Sequence, residues 1–238
     1  MQRIKIGLMA VLTIMSISFV YAQNADEIIN HYVDAIGGKD NLSKVNTVSM
    51  EASSQVMGND NPVVVDIING KGYKSVTDFN GQQFVRAYTD KGGWTINPFA
   101  GGSDPVALSP EEYKSVKEDM YIGGALYEYA VNHTGTATLE GTDGGAYKIK
   151  YTSPDSIEST YYIDTASYLL TKMMRQGQMQ GQSVDVTTTL SDYQKTPEGI
   201  SIPYTTNVDF GGNFSMSTTI KKVEINKTID PSIFEMPK

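Results

Sequence analysis

Thr47-Val48-Ser49-Met50-Glu51-Ala52, Val63-Val64-Val65-Asp66-Ile67 and Tyr73-Lys74-Ser75-Val76-Thr77-Asp78-Phe79 are neighbouring runs in a chain of 238 residues, and their reading decides the fold. Apolar and polar side chains alternate in them, the period of strands with one face turned to a core. Val48, Met50 and Ala52 share a face, as do Val63, Val65 and Ile67. Between the runs stand Asn69-Gly70 and Asn80-Gly81, pairs that reach positive φ at little cost, so sequential strands are expected to be antiparallel and the topology a meander.

Outward from these runs the pattern persists. Phe84, Arg86 and Tyr88 extend it, and after residue 136 the strand runs follow one another: Ala146 to Tyr151, Ile157 to Asp164, Tyr168 to Gln176, Ser183 to Asp192, Ile200 to Phe210 and Phe214 to Ile225. The interruption is helical. Ser109-Pro110-Glu111-Glu112 supplies an N-cap, a first-turn proline and a reciprocal acceptor ahead of Tyr113 and Val116, and Ala125 to Ala130 reads as a further short helix after Gly123-Gly124. Before the first strand, Asn24 and Glu27 suit the start of an amphipathic helix whose apolar face is Ile28, Ile29, Tyr32, Val33 and Ile36 and which Gly37-Gly38 ends. About 11–12 strands in one sheet must curl as twist accumulates, leaving a concave face that only the two helical stretches can cover. The expected fold class is mainly β (α+β): a curved, antiparallel open half-barrel with an N-terminal helix and a helical insert at its mouth.

Arg3 and Lys5 precede an uncharged stretch from Ile6 to Val20, and Val20-Tyr21-Ala22 offers small residues to a signal peptidase. Residues 1–22 therefore read as a signal peptide cleaved after Ala22, and 23–238 as a single domain, exported, soluble and periplasmic. With no cysteine, the chain can neither take a lipoprotein's N-terminal lipid nor rely on disulfides. A net charge of −8 disfavours nucleic acid and anionic bilayers, and stable membrane insertion is not expected.

Tyr88-Thr89-Asp90-Lys91-Gly92-Gly93-Trp94-Thr95-Ile96-Asn97-Pro98-Phe99 and Ile229-Asp230-Pro231-Ser232-Ile233-Phe234-Glu235-Met236-Pro237 resemble, respectively, the Asp-Gly…Trp…Asn-Pro-Phe segment and the closing segment of the LolA-like periplasmic carriers of outer-membrane lipoproteins. The order of signal peptide, helix, strands, helical insert and strands matches as well. Ala35-Ile36-Gly37-Gly38-Lys39-Asp40-Asn41-Leu42 looks like the start of related lipoprotein-sorting domains, some attached to metallopeptidases. The resemblance implies a half-barrel whose lid shelters acyl chains in transit between an envelope donor and acceptor. The carriers' Lys-Arg-Pro segment, whose arginine helps hold the lid closed, is replaced here by Gly70-Lys71-Gly72-Tyr73, leaving Arg86 as the substitute.

The expected ligand-binding residues are Met50, Val65, Tyr73, Phe84, Trp94, Phe99, Tyr161 and Met173, with Ile29, Tyr32 and Tyr113 on the lid. Trp94 reads equally as a core anchor, and the methionines as cavity wall or ordinary filling. No catalytic residue, metal ligand or cofactor is expected: His31 and His133 lie in no ligand spacing, Glu112 is explained by its cap, and no nucleophile elbow or phosphate loop occurs. A binder of lipoprotein or lipid acyl chains is the first reading. The alternative is an interaction module with a filled core that holds a peptidase or other envelope partner.

Overall fold

A computed structural model describes residues 17–56, 58–100, 102–179, 182–212 and 214–237. Most of the expected leader lies outside the described residues. The strands are β1 (Thr47–Val56), β2 (Asn59–Ile68), β3 (Gly72–Phe79), β4 (Gln82–Thr89), β5 (Gly92–Ile96), β6 (Val106–Ala107), β7 (Thr136–Asp143), β8 (Ala146–Thr152), β9 (Glu158–Asp164), β10 (Leu170–Met179), β11 (Gln182–Lys195), β12 (Ser201–Phe210) and β13 (Ser215–Ile225). All lie in one antiparallel sheet of 13 strands, ordered β6-β5-β4-β3-β2-β1-β13-β12-β11-β10-β9-β8-β7. The expected half-barrel is present, with slightly more strands than the sequence suggested. β6 accounts for part of the excess, because two residues are too few to display a period.

Two meanders run outward in opposite directions from a central seam, where Val48 faces Ile225 and Met50 faces Val223. The register slips between Glu51 and Ala52, a bulge that adds local twist to this seam. The outermost strands, β6 and β7, do not pair, so the barrel stays open. This order dictates where the lid must be. β6 and β7 are consecutive in the chain yet lie on opposite rims, so the segment joining them has to cross the sheet from rim to rim. That segment holds α3 (Pro110–Val116), a 3-10 turn (Lys117–Met120) and α4 (Gly124–Asn132). The other α-helices among the described residues are α1 (Ile17–Ala35) and α2 (Lys39–Leu42).

The capping box at α3 forms as read: Glu112 N–H donates to Ser109 Oγ (3.2 Å) and Ser109 N–H to Glu112 Oε2 (2.8 Å). Asn80 and Gly81 both take positive φ in the two-residue turn between β3 and β4. Asn24 is not the first residue of the N-terminal helix, because α1 runs through it over Ile17–Ala35. Ile28, Ile29, Tyr32, Val33 and Ile36 bury one face of α1 and its C-terminal turn against β7 and α4. Each aliphatic member contributes roughly 1.5–3 kcal/mol by leaving water. Gly37 ends the helix at φ +133, and a Cβ there would stand 2.9 Å from the Gly199 carbonyl oxygen, so this turn requires glycine.

Candidate functional site

A cavity of about 310 Å³ lies between the helices and the concave face. Register fixes which strand residues reach it. Val48 and Met50 of β1 share a face with Ile67 of β2, Tyr161 of β9 with Met173 of β10, and Leu190 of β11 completes the floor with Ile202 of β12. The roof comes from Tyr32, Ile36 and Leu42 on the N-terminal helices and from Ile122, Ala125 and Leu126 of the insert. Burial pushes the Tyr32 hydroxyl up to about 12, so it stays neutral at any physiological pH.

One end of the cavity is polar. Lys114, Ser115, Glu118 and Asp119 of the insert face Ser159, Tyr161 and Arg175 of the sheet. Arg175 donates through Nη1 to the Ser115 carbonyl (2.8 Å), Tyr151 Oη to Glu118 Oε1 (3.3 Å), and Tyr88 Oη to Asp119 Oδ2 (3.0 Å). Lys117 pairs with Asp155. On the far side of the lid, Gly70 N–H donates to the Met120 carbonyl (3.0 Å) and Ile122 N–H to Asn69 Oδ1 (3.0 Å), so the β2–β3 turn grips the insert. Lys39 Nζ holds the Ala130 carbonyl (2.8 Å). Among the described residues no group of His, Asp and Glu is placed to hold a metal ion.

An open antiparallel sheet, roofed by an N-terminal helix and a rim-to-rim insert, has counterparts among solved structures. An outer membrane lipoprotein-sorting protein domain from Vibrio parahaemolyticus matches with TM-score 0.56 at 13% identity, covering 90% of this chain and 97% of that one. A LolA superfamily protein from Nitrosomonas europaea matches with TM-score 0.58 at 11% identity, again over 90% and 97%. The chain has the LolA superfamily fold. A DUF1329 family protein from Desulfovibrio piger shares it with TM-score 0.58 at 12% identity, over 89% of this chain and 97% of that one. No protein-family model matches the sequence, and no curated protein does.

Within this LolA-like frame the two segments that carried the resemblance meet each other. Trp94 is buried, and its Nε1 donates to the Phe234 carbonyl (2.9 Å). Its neighbours are Val85, Ala87, Val76 and Ile96, and Lys74 Nζ lies 5.8 Å from its ring centroid. In the register Trp94 faces Ala87 and Ala87 faces Lys74, while the neighbouring Tyr88–Tyr73 pair points to the lidded face. Trp94 therefore belongs to the outer face, capped by the 3-10 turn Pro231–Phe234, and not to the cavity where the sequence reading placed it.

Of the other expected residues, Met50, Tyr161, Met173 and Tyr32 line the cavity. Val65, Tyr73 and Ile29 pack in the main core instead, Tyr73 stacking on Tyr88 at 4.7 Å. Tyr113 fastens the insert to β4 by donating to the Thr89 carbonyl (2.7 Å). Phe99 is 68% exposed, edge-on to Phe79, because the 3-10 turn Pro98–Ala100 carries it off the end of β5. Phe84 stands beside Arg86, away from the cavity lining, and Arg86 forms no ion pair among the described residues. The arginine that touches the lid is Arg175, which the sequence reading passed over. One signal for it was available: Arg175 lies two residues beyond Met173 on the same strand face.

Proposed function

We propose that this chain is an exported, non-catalytic binding protein that takes acyl chains of a lipid or lipoprotein into the cavity beneath its helical lid, working in the periplasm. The observation that carries the reading is the cavity itself: about 310 Å³, walled mainly by apolar side chains, and roofed by a tethered segment that does not belong to the sheet. This volume stands at the lower end of the ~300–1,000 Å³ common for ligand pockets. Sequestering about ten methylenes at ~0.8 kcal/mol each gives about 8 kcal/mol before ordering costs, which supports at most micromolar affinity. A reversible handover between donor and acceptor needs no more.

A delipidated preparation titrated with a fluorescent fatty-acid probe tests this. Saturable binding is expected, and Met173→Trp, which fills the cavity wall, should weaken it about tenfold or more while the far-ultraviolet circular dichroism stays unchanged. Trp94→Phe, on the outer face, should leave the affinity as it was. An absence of saturation up to ~100 μM probe would sink the carrier reading and favour the interaction module, whose interior is closed to ligands.

A further inference from the structure

The cavity is not uniformly greasy, and the uneven distribution of its polar groups restricts what fits. Along β10 the lidded face runs from Met173 to Arg175, so an apolar wall turns cationic within one side-chain repeat. Arg175 carries five N–H donors, of which Nη1 serves the Ser115 carbonyl, and among the described residues no carboxylate lies within ion-pair distance of it. Beside it, Tyr161 of β9 lines the same cavity. Lys114 adds a second cation at this end. The two acidic groups there, Glu118 and Asp119, are each engaged by a tyrosine hydroxyl from the sheet.

We propose that the preferred ligand is a single-chain amphiphile with an anionic carboxylate head, held by Arg175 and Tyr161, whose alkyl chain runs past Met173 toward Ile202 and Ile36. This rests on the carrier reading and narrows it: an esterified acyl chain has no charged head, whereas a free long-chain carboxylate has one. A planar guanidinium presents paired donors to a carboxylate, and a phenolic O–H adds a third bond to the same group.

Calorimetric titration of the full chain with dodecanoate, methyl dodecanoate and dodecylammonium, at one pH and ionic strength, tests it. Dodecanoate should bind about tenfold or more tightly than the methyl ester. Arg175→Met should erase that preference, lowering dodecanoate affinity about tenfold more than ester affinity, and Tyr161→Phe should reduce it by a smaller factor. Arg175→Lys, which keeps the charge, should retain part of it and serves if the methionine variant folds poorly. Equal affinities for carboxylate and ester would overturn this proposal and leave the carrier reading intact. Tighter binding of dodecylammonium would overturn it in favour of Glu118 and Asp119 as the head-group site. Binding of none of the three would mean that the carrier reading itself has failed.

Discussion

Trp94 shows how one register position changes a residue's task. Successive strand residues point to opposite faces, so the choice between cavity wall and outer anchor turns on the phase of β5, which the local sequence leaves open because Gly92 and Gly93 give no alternation. The structure sets the phase through a partner far along the chain: the Phe234 carbonyl receives the indole N–H, and the Phe234 ring covers Gly72. Two substitutions separate these contacts. Trp94→Phe should cost about 1–2 kcal/mol in urea denaturation by leaving that carbonyl unpaired. Gly72→Ala should cost about 1–3 kcal/mol, because the new Cβ would stand 2.7 Å from the Phe234 ring. Neither should alter probe binding, and a loss of affinity in either variant would show that the outer face communicates with the cavity. Residues whose role depends on local chemistry were legible from the sequence, as Ser109, Glu112, Asn80 and Gly81 show. Phe99 and Trp94 were not, because their surroundings come from the other end of the chain or from where a strand happens to stop.

The insert responds to pH through two of its carboxyls, Glu118 and Glu112, which pull in opposite directions. Burial holds the Glu118 carboxyl above its ordinary value, with the Tyr151 hydrogen bond opposing the shift. The folded chain therefore binds that proton more tightly than the unfolded chain, so the contribution is complete below the ordinary value and is lost as pH rises through the raised one. Glu112 behaves in reverse. The Ser109 backbone N–H and hydroxyl hold it below its ordinary value, so its contribution is present above that value and is lost as pH falls through the lowered one. Glu118→Gln should flatten the decline of melting temperature as pH rises above the ordinary glutamate value of about 4.3, and an unchanged slope would place the buried charge elsewhere. The existence of this insert was legible because capping chemistry is local. Its attachment points, Asn69, Gly70 and Arg175, were hidden because each lies in a strand or turn whose sequence explains itself without them.

At the level of the whole molecule, curling of a large sheet and a helical roof could be deduced from strand number and the lack of any other cover. The degree of filling could not. Much of the space between sheet and helices is filled by Ile149, Ile163 and Tyr151 of the sheet and Leu126 of the insert, and the residual void is small. A cargo with several acyl chains would thus require the insert to lift from the sheet, and the contacts from Asn69, Tyr88, Tyr113 and Arg175 are what such a movement must break.

The pairing of β1 with β13 was likewise out of reach of turn signals, which name only sequential neighbours. Its consequence concerns how the molecule comes into being. The first strand to be made waits for the last, presenting a bare row of N–H and C=O groups throughout synthesis, and closure of so long a loop is slow. A chain stopped before Ser215 should lose cooperative melting and aggregate, even though both meanders keep their hairpins. Folding of newly made copies is then complete only when the β1–β13 ladder zips.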